Sequence, residues 1–489
     1  MATSAELNRL PSKVIVAVGT YEGVIAGWEL TEKKRLQLTF ATPVHGGSVR
    51  SVAIAGRTAG NTSQPDVPGS LLSCGYDEVL RTHDFHRRLT SSGEVRIPAD
   101  FAFGTPVCSS FAPPGSLPTG PVATHCLLGF SGGKLVIYKK RDWTVQHVLA
   151  GHDGGVASLA VHPSGKMALT AGTTDGKLKL WDLQKGRLAF ASKIPPAATA
   201  LAGRNRYDPI VSLVWSPDDA GSCYAFCHGS HVTVKHVGSG KDLMDVELPS
   251  RVNQVCFMNG ADGLFVAAAC NDGSLPVLAV ETVDAVTDGS AERRAVMAIE
   301  PVDGPVAGEE RFKCIQSVSG YYVVTANSAG VLSLVNLQGA VNMILTPDES
   351  SEDEDEEKPV HSDSDEDGDD DDVTDDENEE EELAAEIIDS VQLGSGARIT
   401  CLAAWSYQGE PGESPDVSPA GSPAASDEEE AEDESSIKEE KKDTWERKRK
   451  YDDKEVTMDP EALERARSLV ADAKKIQKKR EKKKHLTSK

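Results

Sequence analysis

The sequence predicts an all-β fold, a seven-bladed β-propeller sealed by a strand from its far end. Three observations lead there. Seven strand–turn–strand units recur along the chain, six of them are preceded by a further strand, and a matching seventh strand stands alone far downstream at residues 397–405. Composition agrees, since 43 glycines and 26 prolines against 5% aromatics suit many short strands joined by tight turns.

The first unit, VIVAVGTYEGVIAGWEL, starts near Val14 with too little chain before it for an inner strand. The next six come with their own: SVRSVAIA before LLSCGYDEVLRTHDF, TPVCSSFA before HCLLGFSGGKLVIYK, GVASLAVH before the clearest unit, PIVSLVWS before CYAFCHGSHVTVKHV, RVNQVCFM before LFVAAACNDGSLPVLAV, and RFKCIQSV before YYVVTANSAGVLSLVNL. Apolar residues alternate in each run, and dipeptides such as Asp175-Gly176 supply the positive φ that a two-residue hairpin requires. The turns fall at 22, 77, 132, 175, 229, 272 and 329, spaced 43 to 57 residues apart, which is a blade plus its loops. ARITCLAAW, from Ala397 to Trp405, has the form of RFKCIQSV and can complete the blade begun at the N-terminal end. A ring sealed in this way has no open sheet edge, whereas a linear array would have two. An open two-sheet β-sandwich is the alternative, but it gives no reason for a matching strand beyond a 50-residue interruption.

The clearest unit runs from Ala150 to Leu183 and carries Gly151-His152 before its first strand and Trp181-Asp182 at the end of its third. This arrangement resembles the WD40 repeat. With ARITCLAAW and the pairing of SVRSVAIA with LLSCGYDEVLRTHDF, the chain is similar to the PAK-interacting WD-repeat protein family over most of residues 14–405. The resemblance implies a nucleolar factor in maturation of the large ribosomal subunit, and for some members an inhibitor of p21-activated kinases. It also implies a buried blade network on His152, Asp175 and Trp181, its hydroxyl position falling on Ala171 with Thr170 and Thr173 as imperfect substitutes. Third-strand endings elsewhere depart from the pattern: Trp28-Glu29, His83-Asp84, Tyr138-Lys139 and Val335-Asn336.

Nothing in the sequence argues for catalysis, a metal or a cofactor. His152 and Asp175 read as a structural pair that satisfies groups buried between strands, because no nucleophile in a strained strand-to-helix turn accompanies them. Cys223, Cys227 and His228 give three possible zinc ligands within six residues, but a structural site needs four, and their spacing fits a strand with core thiols. Gly238-Ser239-Gly240-Lys241 resembles the end of a phosphate loop but lacks its first glycine and its closing hydroxyl, so a surface turn is expected. The other cysteines sit mostly in apolar runs, which suits reduced thiols of the cytosol or nucleus. No run approaches the length needed to cross a bilayer, and MATSAELNRLPSK lacks a secretory apolar centre, so neither a membrane nor a secreted protein is expected.

Charge organises the rest. Residues 348–382 hold 23 carboxylates against one lysine, a net of −22 within a chain total of −26, which leaves only about −4 elsewhere. Residues 347–395 are therefore assigned to an acidic, disordered insertion between the propeller segments 13–346 and 396–406, with residues 1–12 as an N-terminal extension. Ser351, Ser362 and Ser364, and Ser426 further on, precede acidic clusters and are expected phosphorylation sites. Residues 407–445 read as a Pro/Ser/Glu linker. The sign reverses in a basic tail, 446–489. Arg447, Lys448, Arg449 and Lys450, and later Lys478, Lys479, Arg480, Lys482, Lys483 and Lys484, are candidates for nuclear import or RNA-phosphate contact. A helix over about 460–484 is expected, N-capped by Asp459 with Pro460 in its first turn and an apolar stripe from Leu463 to Ile476.

The expected role is a non-enzymatic scaffold, monomeric within a larger complex in the nucleolus. Its partners would be assembly factors and basic ribosomal proteins of the large-subunit precursor, with pre-rRNA on the tail. Two alternatives stay open: a negative regulator that binds a p21-activated kinase, and an acidic chaperone for a basic ribosomal protein or histone.

Overall fold

Strand pairing produces seven separate four-stranded antiparallel sheets, six of them continuous in sequence and one made from both ends of the folded region. The computed structural model describes residues 8–57, 67–85, 91–96, 103–114, 122–194, 209–218, 221–290, 294–301, 311–346, 383–394 and 396–407. These all lie in one compact unit, Met1–Glu413. Numbered from the N-terminal end, blades 1 to 7 have as inner strands Ile399–Tyr407, Val49–Arg57, Pro106–Ala112, Val156–Val161, Ser212–Trp215, Val252–Gly260 and Phe312–Ser319. Together these inner strands line a central cavity of about 520 Å³. Each expected hairpin and each expected inner strand is present.

Burial follows position within the blade. The second strand of blade 1, Lys13–Thr20, is buried at every residue from Val14 onward, because both its faces meet neighbouring blades. The outer strand of blade 4, Arg187–Lys193, is almost wholly exposed, with Phe190 62% accessible. A continuous apolar run thus marks the second strand of blade 1, and a mixed run the outer strand of blade 4.

The ring closes where the strand count requires. Ile399–Tyr407 pairs antiparallel with Lys13–Thr20, from Lys13 opposite Tyr407 to Thr20 opposite Ile399, with one bulge at Gly19/Thr20. The same strand is bound from both sides as well. Thr400 Oγ1 reaches Val49 O of blade 2 at 2.7 Å, while Ser406 Oγ donates to Val318 O of blade 7 at 2.6 Å and Gln316 Oε1 accepts from Ala404 N at 2.8 Å. The observed strand runs two residues past Trp405.

Blade 7 departs from expectation. Its outer strand is Glu386–Gln392, paired with Val331–Asn336. That strand lies inside residues 347–395, which the sequence assigns wholly to the disordered insertion, so the assignment is too wide at its C-terminal end. The unpaired edge of Val331–Asn336 supplies the ladder, and Ile388 and Val391 pack on the core shared by blades 7 and 1. Directly after Val331–Asn336, Gln338–Leu345 is a helix that seats Ala340, Val341 and Ile344 in the core between blades 6 and 7. A second short helix, Val283–Asp288, is capped by Thr282 Oγ1 accepting from Ala285 N and ends at Gly289 in the left-handed region. No helix among the described residues is long and apolar enough to span a membrane.

Candidate functional site

The best repeat carries a buried polar chain. His152 enters from the loop before the inner strand of blade 4, fixed by its backbone N–H on Gly133 O at 2.8 Å. Gly133 has φ +79°, and a Cβ there would lie 2.1 Å from His152 O, so this turn requires glycine. His152 Nδ1 stands 2.9 Å from Asp175 Oδ2, and His152 Nε2 stands 2.8 Å from Thr170 Oγ1. Trp181 Nε1 donates to the same hydroxyl at 2.8 Å.

With the buried imidazole neutral, donor inventory fixes the direction of every bond. The indole can only donate and the carboxylate only accept, so the Thr170 proton goes to Nε2 and the Nδ1 proton to Asp175. Burial lowers the His152 pKa despite the opposing hydrogen bond and charge of Asp175. All four groups are consumed internally.

The hydroxyl is that of Thr170, not Ala171. Trp181 pairs with Ala168, and alternation places 168, 170 and 172 on the face of the indole, with 171 turned away. Thr173 serves elsewhere, its Oγ1 accepting from Gly155 N at 2.9 Å.

A second network, which the sequence reading misses, lies in blade 2. His45 Nδ1 meets Asp77 Oδ1 at 2.9 Å, His45 Nε2 meets Ser73 Oγ at 2.9 Å, and His83 Nε2 reaches Ser73 Oγ at 3.3 Å. His83 occupies the place of the tryptophan and presents one N–H to the hydroxyl. Burial, then the charges of His45 and Arg81, push the His83 pKa down to about 4. Burial also lowers that of His45 against the pull of Asp77. Burial alone would raise the Asp77 carboxyl, but the bonds from His45 and Gly46 N–H hold it below the usual range. Arg81 closes the cluster with an ion pair to Asp77 at 3.2 Å.

The other motifs resolve into strand and turn. Cys223 and Cys227 lie buried along one strand, Cys223–His228, and the His228 ring stacks between Phe226 and His231. Burial pushes the Cys227 thiol up to about 12, the opposite of what a metal-binding thiolate needs. Among the described residues no group of three or more potential metal ligands is gathered. Gly238-Ser239-Gly240-Lys241 is a hairpin turn in which Ser239 Oγ lies 2.9 Å from His236 Nδ1. Ser351, Ser362, Ser364 and Ser426, every basic candidate from Arg447 to Lys484, and the expected helix at 460–484 lie outside the described residues.

Two exposed aromatic rings are carried by the hairpin turns of blades 1 and 2. Tyr21 is 60% and Tyr76 53% accessible, and the Arg50 guanidinium lies 4.9 Å from the Tyr76 ring centre.

A family model described as "WD domain, G-beta repeat" matches residues 143–182, the blade holding His152, Asp175 and Trp181. The p21-activated protein kinase-interacting protein 1-like protein of Danio rerio is 25% identical over 288 residues, 58% of this chain and 66% of that protein. The Shk1 kinase-binding protein 15 of Schizosaccharomyces pombe is 29% identical over 184 residues, 37% of this chain and 46% of that protein. A short match of 85 residues, 29% identical, joins 17% of the chain to 9% of the ribosome biogenesis protein ERB1 of Lodderomyces elongisporus. The chain thus spans 66% or less of the length of each of these three relatives. Seven four-stranded blades closed by Ile399–Tyr407, the repeat around His152 and these likenesses together support the resemblance of the chain to the PAK-interacting WD-repeat family.

Proposed function

We propose that this propeller is a non-enzymatic scaffold in the assembly and maturation of the large ribosomal subunit, including pre-rRNA processing, in the nucleolus. The observation that carries the reading is the opposition of charge along one chain: 23 carboxylates within residues 348–382, and nine basic residues against one acid within 474–489. A polyanion can hold or release basic ribosomal proteins through many weak, salt-sensitive contacts, while a polycation can engage RNA phosphates or an import receptor. The internal consumption of both His–Asp pairs supports a binding role over a catalytic one. Likeness to a protein named for ribosome biogenesis supports the same reading.

A second reading, binding and restraint of a p21-activated kinase, is favoured by the names of the Danio and Schizosaccharomyces relatives. The basic tail separates the two, because kinase binding by the propeller has no need of it. Deletion of residues 447–489 is expected to abolish nucleolar accumulation and lower free large-subunit levels, read by fluorescence microscopy and sucrose-gradient profiles. Unchanged localisation with unchanged subunit levels would reject the ribosomal reading in favour of the kinase.

A further inference from the structure

The strand register allows blade-by-blade comparison of the cavity mouth on the side of the hairpin turns. In six blades the first paired residue of the inner strand is followed by a register shift, as at Val49/Ser51, Pro106/Cys108, Val156/Ser158, Val252/Gln254 and Phe312/Cys314, and opposite Gly19/Thr20 in blade 1. The residue skipped by each shift lines the cavity. The residue just before the first pair accepts a backbone hydrogen bond from the hairpin turn of its own blade, as Arg398 O does from Tyr21 N, Arg251 O from Asn271 N and Arg311 O from Ser328 N. Two concentric rings of equivalent positions result.

These rings are not uniform. In the outer ring, blades 6, 7 and 1 carry Arg251, Arg311 and Arg398, where blades 2, 3 and 4 carry Ser48, Thr105 and Gly155. In the inner ring, blades 7 and 2 carry Lys313 and Arg50 and blades 6 and 1 carry Asn253 and Thr400, while blades 3, 4 and 5 carry Val107, Ala157 and Val211. Five cations therefore occupy four consecutive blades, and the facing rim is apolar. None of the five is ion-paired to a carboxylate among the described residues. The acids on the nearby hairpin turns are engaged or face solvent: Asp272 accepts from Ser274 and Asp77 from His45, and Glu22 and Glu78 are exposed. Arg311 Nε is sealed from water without a hydrogen-bond partner. Burial and the neighbouring charges of Arg311 and Arg251 lower the Lys313 pKa. Like charges gathered with no ion pair to a carboxylate among the described residues mark an anion site more than a solvated face.

We propose that this mouth binds an acidic peptide segment of a partner protein, its carboxylates on the arc formed by Arg251, Arg311, Lys313, Arg398 and Arg50 and its apolar side chains against Val107, Ala157 and Val211. Guanidinium forks match carboxylates in pairs and fix the direction of an extended chain. The apolar half of the rim favours a peptide, whose aliphatic side chains can fill it, over the uniformly charged backbone of RNA. Both halves are used only by a chain that alternates acidic and apolar residues.

The test is fluorescence anisotropy with the purified full-length protein and a labelled peptide of glutamates and aspartates interspersed with leucines. Wild-type protein is compared with the double variant R251E/K313E, both retaining the basic tail, so their difference reads the arc alone. Affinity is expected to fall roughly tenfold or more in the double variant, and between about 50 and about 200 mM salt in the wild type. Replacing the leucines by serine is expected to weaken binding several-fold. If the double variant does not retain the wild-type circular dichroism spectrum, R251Q/R398Q, at two exposed positions, replaces it. Equal peptide affinity for variant and wild type would overturn the proposal. So would an oligouridylate whose affinity falls with the variant while that of the peptide does not. The readout uses purified components and stands apart from the cellular role argued above.

Discussion

Replacing Trp405 by alanine is expected to destabilise the whole ring by about 3–5 kcal/mol, the usual range for deleting a fully buried large aromatic. Its side chain is 1% accessible and packs with Ile15, Ala17 and Ile25 of blade 1 and Val49, Val52 and Leu71 of blade 2. Trp405 Nε1 has no hydrogen-bond partner, so truncation removes packing and apolar burial without breaking a polar contact. Trp405→Phe should accordingly cost much less than Trp405→Ala. The effect should be global, because the strand bearing Trp405 is also the wall between blades 1, 2 and 7. Urea titration followed by circular dichroism reads it as a lower midpoint at a similar slope. A loss below about 1 kcal/mol would mean that the strand is peripheral.

The second large effect is expected at Thr170. Thr170→Val keeps the shape and removes the hydroxyl that bridges His152 Nε2 and Trp181 Nε1, leaving two buried polar groups unpaired. Each such group costs about 1–3 kcal/mol, so a loss of about 2–5 kcal/mol is expected, with Thr170→Ser recovering most of it. Combining Thr170→Val with Trp181→Phe removes the orphaned donor along with its acceptor, and the double variant should lose less than the sum of the singles. Additive losses in thermal melts would show that the indole and the hydroxyl act independently.

The blade count is legible in the sequence because its determinants are local. Asp175-Gly176 and the other turn residues punctuate alternating runs, and the missing inner strand of the first blade directs attention to residues 397–405. Glu386–Gln392 is hard to see for the opposite reason: its seven residues follow an acidic run, and its pairing depends on the open edge of Val331–Asn336, a tertiary circumstance.

The same division runs through the candidate sites. In blade 4, His152 precedes Thr170 by 18 residues and Asp175 by 23, while in blade 2 the corresponding separations from His45 are 28 to Ser73 and 32 to Asp77. The longer connection hides the repeat, and His83 in place of tryptophan removes its most visible letter. What does persist is the short interval from hydroxyl to third-strand ring, 11 residues from Thr170 to Trp181 and 10 from Ser73 to His83. Arg251, Arg311 and Arg398 show no common motif in the sequence. They become equivalent only when the register at the start of each inner strand is known.

Closure of the ring by Ile399–Tyr407 is tested most directly by cutting the chain inside residues 347–382, with a protease site inserted there, and passing the cleaved protein over a size-exclusion column without denaturant. The fragment from 383 onward contributes the outer strand of blade 7 and the inner strand of blade 1. It is expected to co-elute with the N-terminal fragment as one species and to separate from it only in denaturant. A C-terminal fragment that elutes alone under native conditions, beside an N-terminal fragment that keeps its melting transition, would contradict the closed ring.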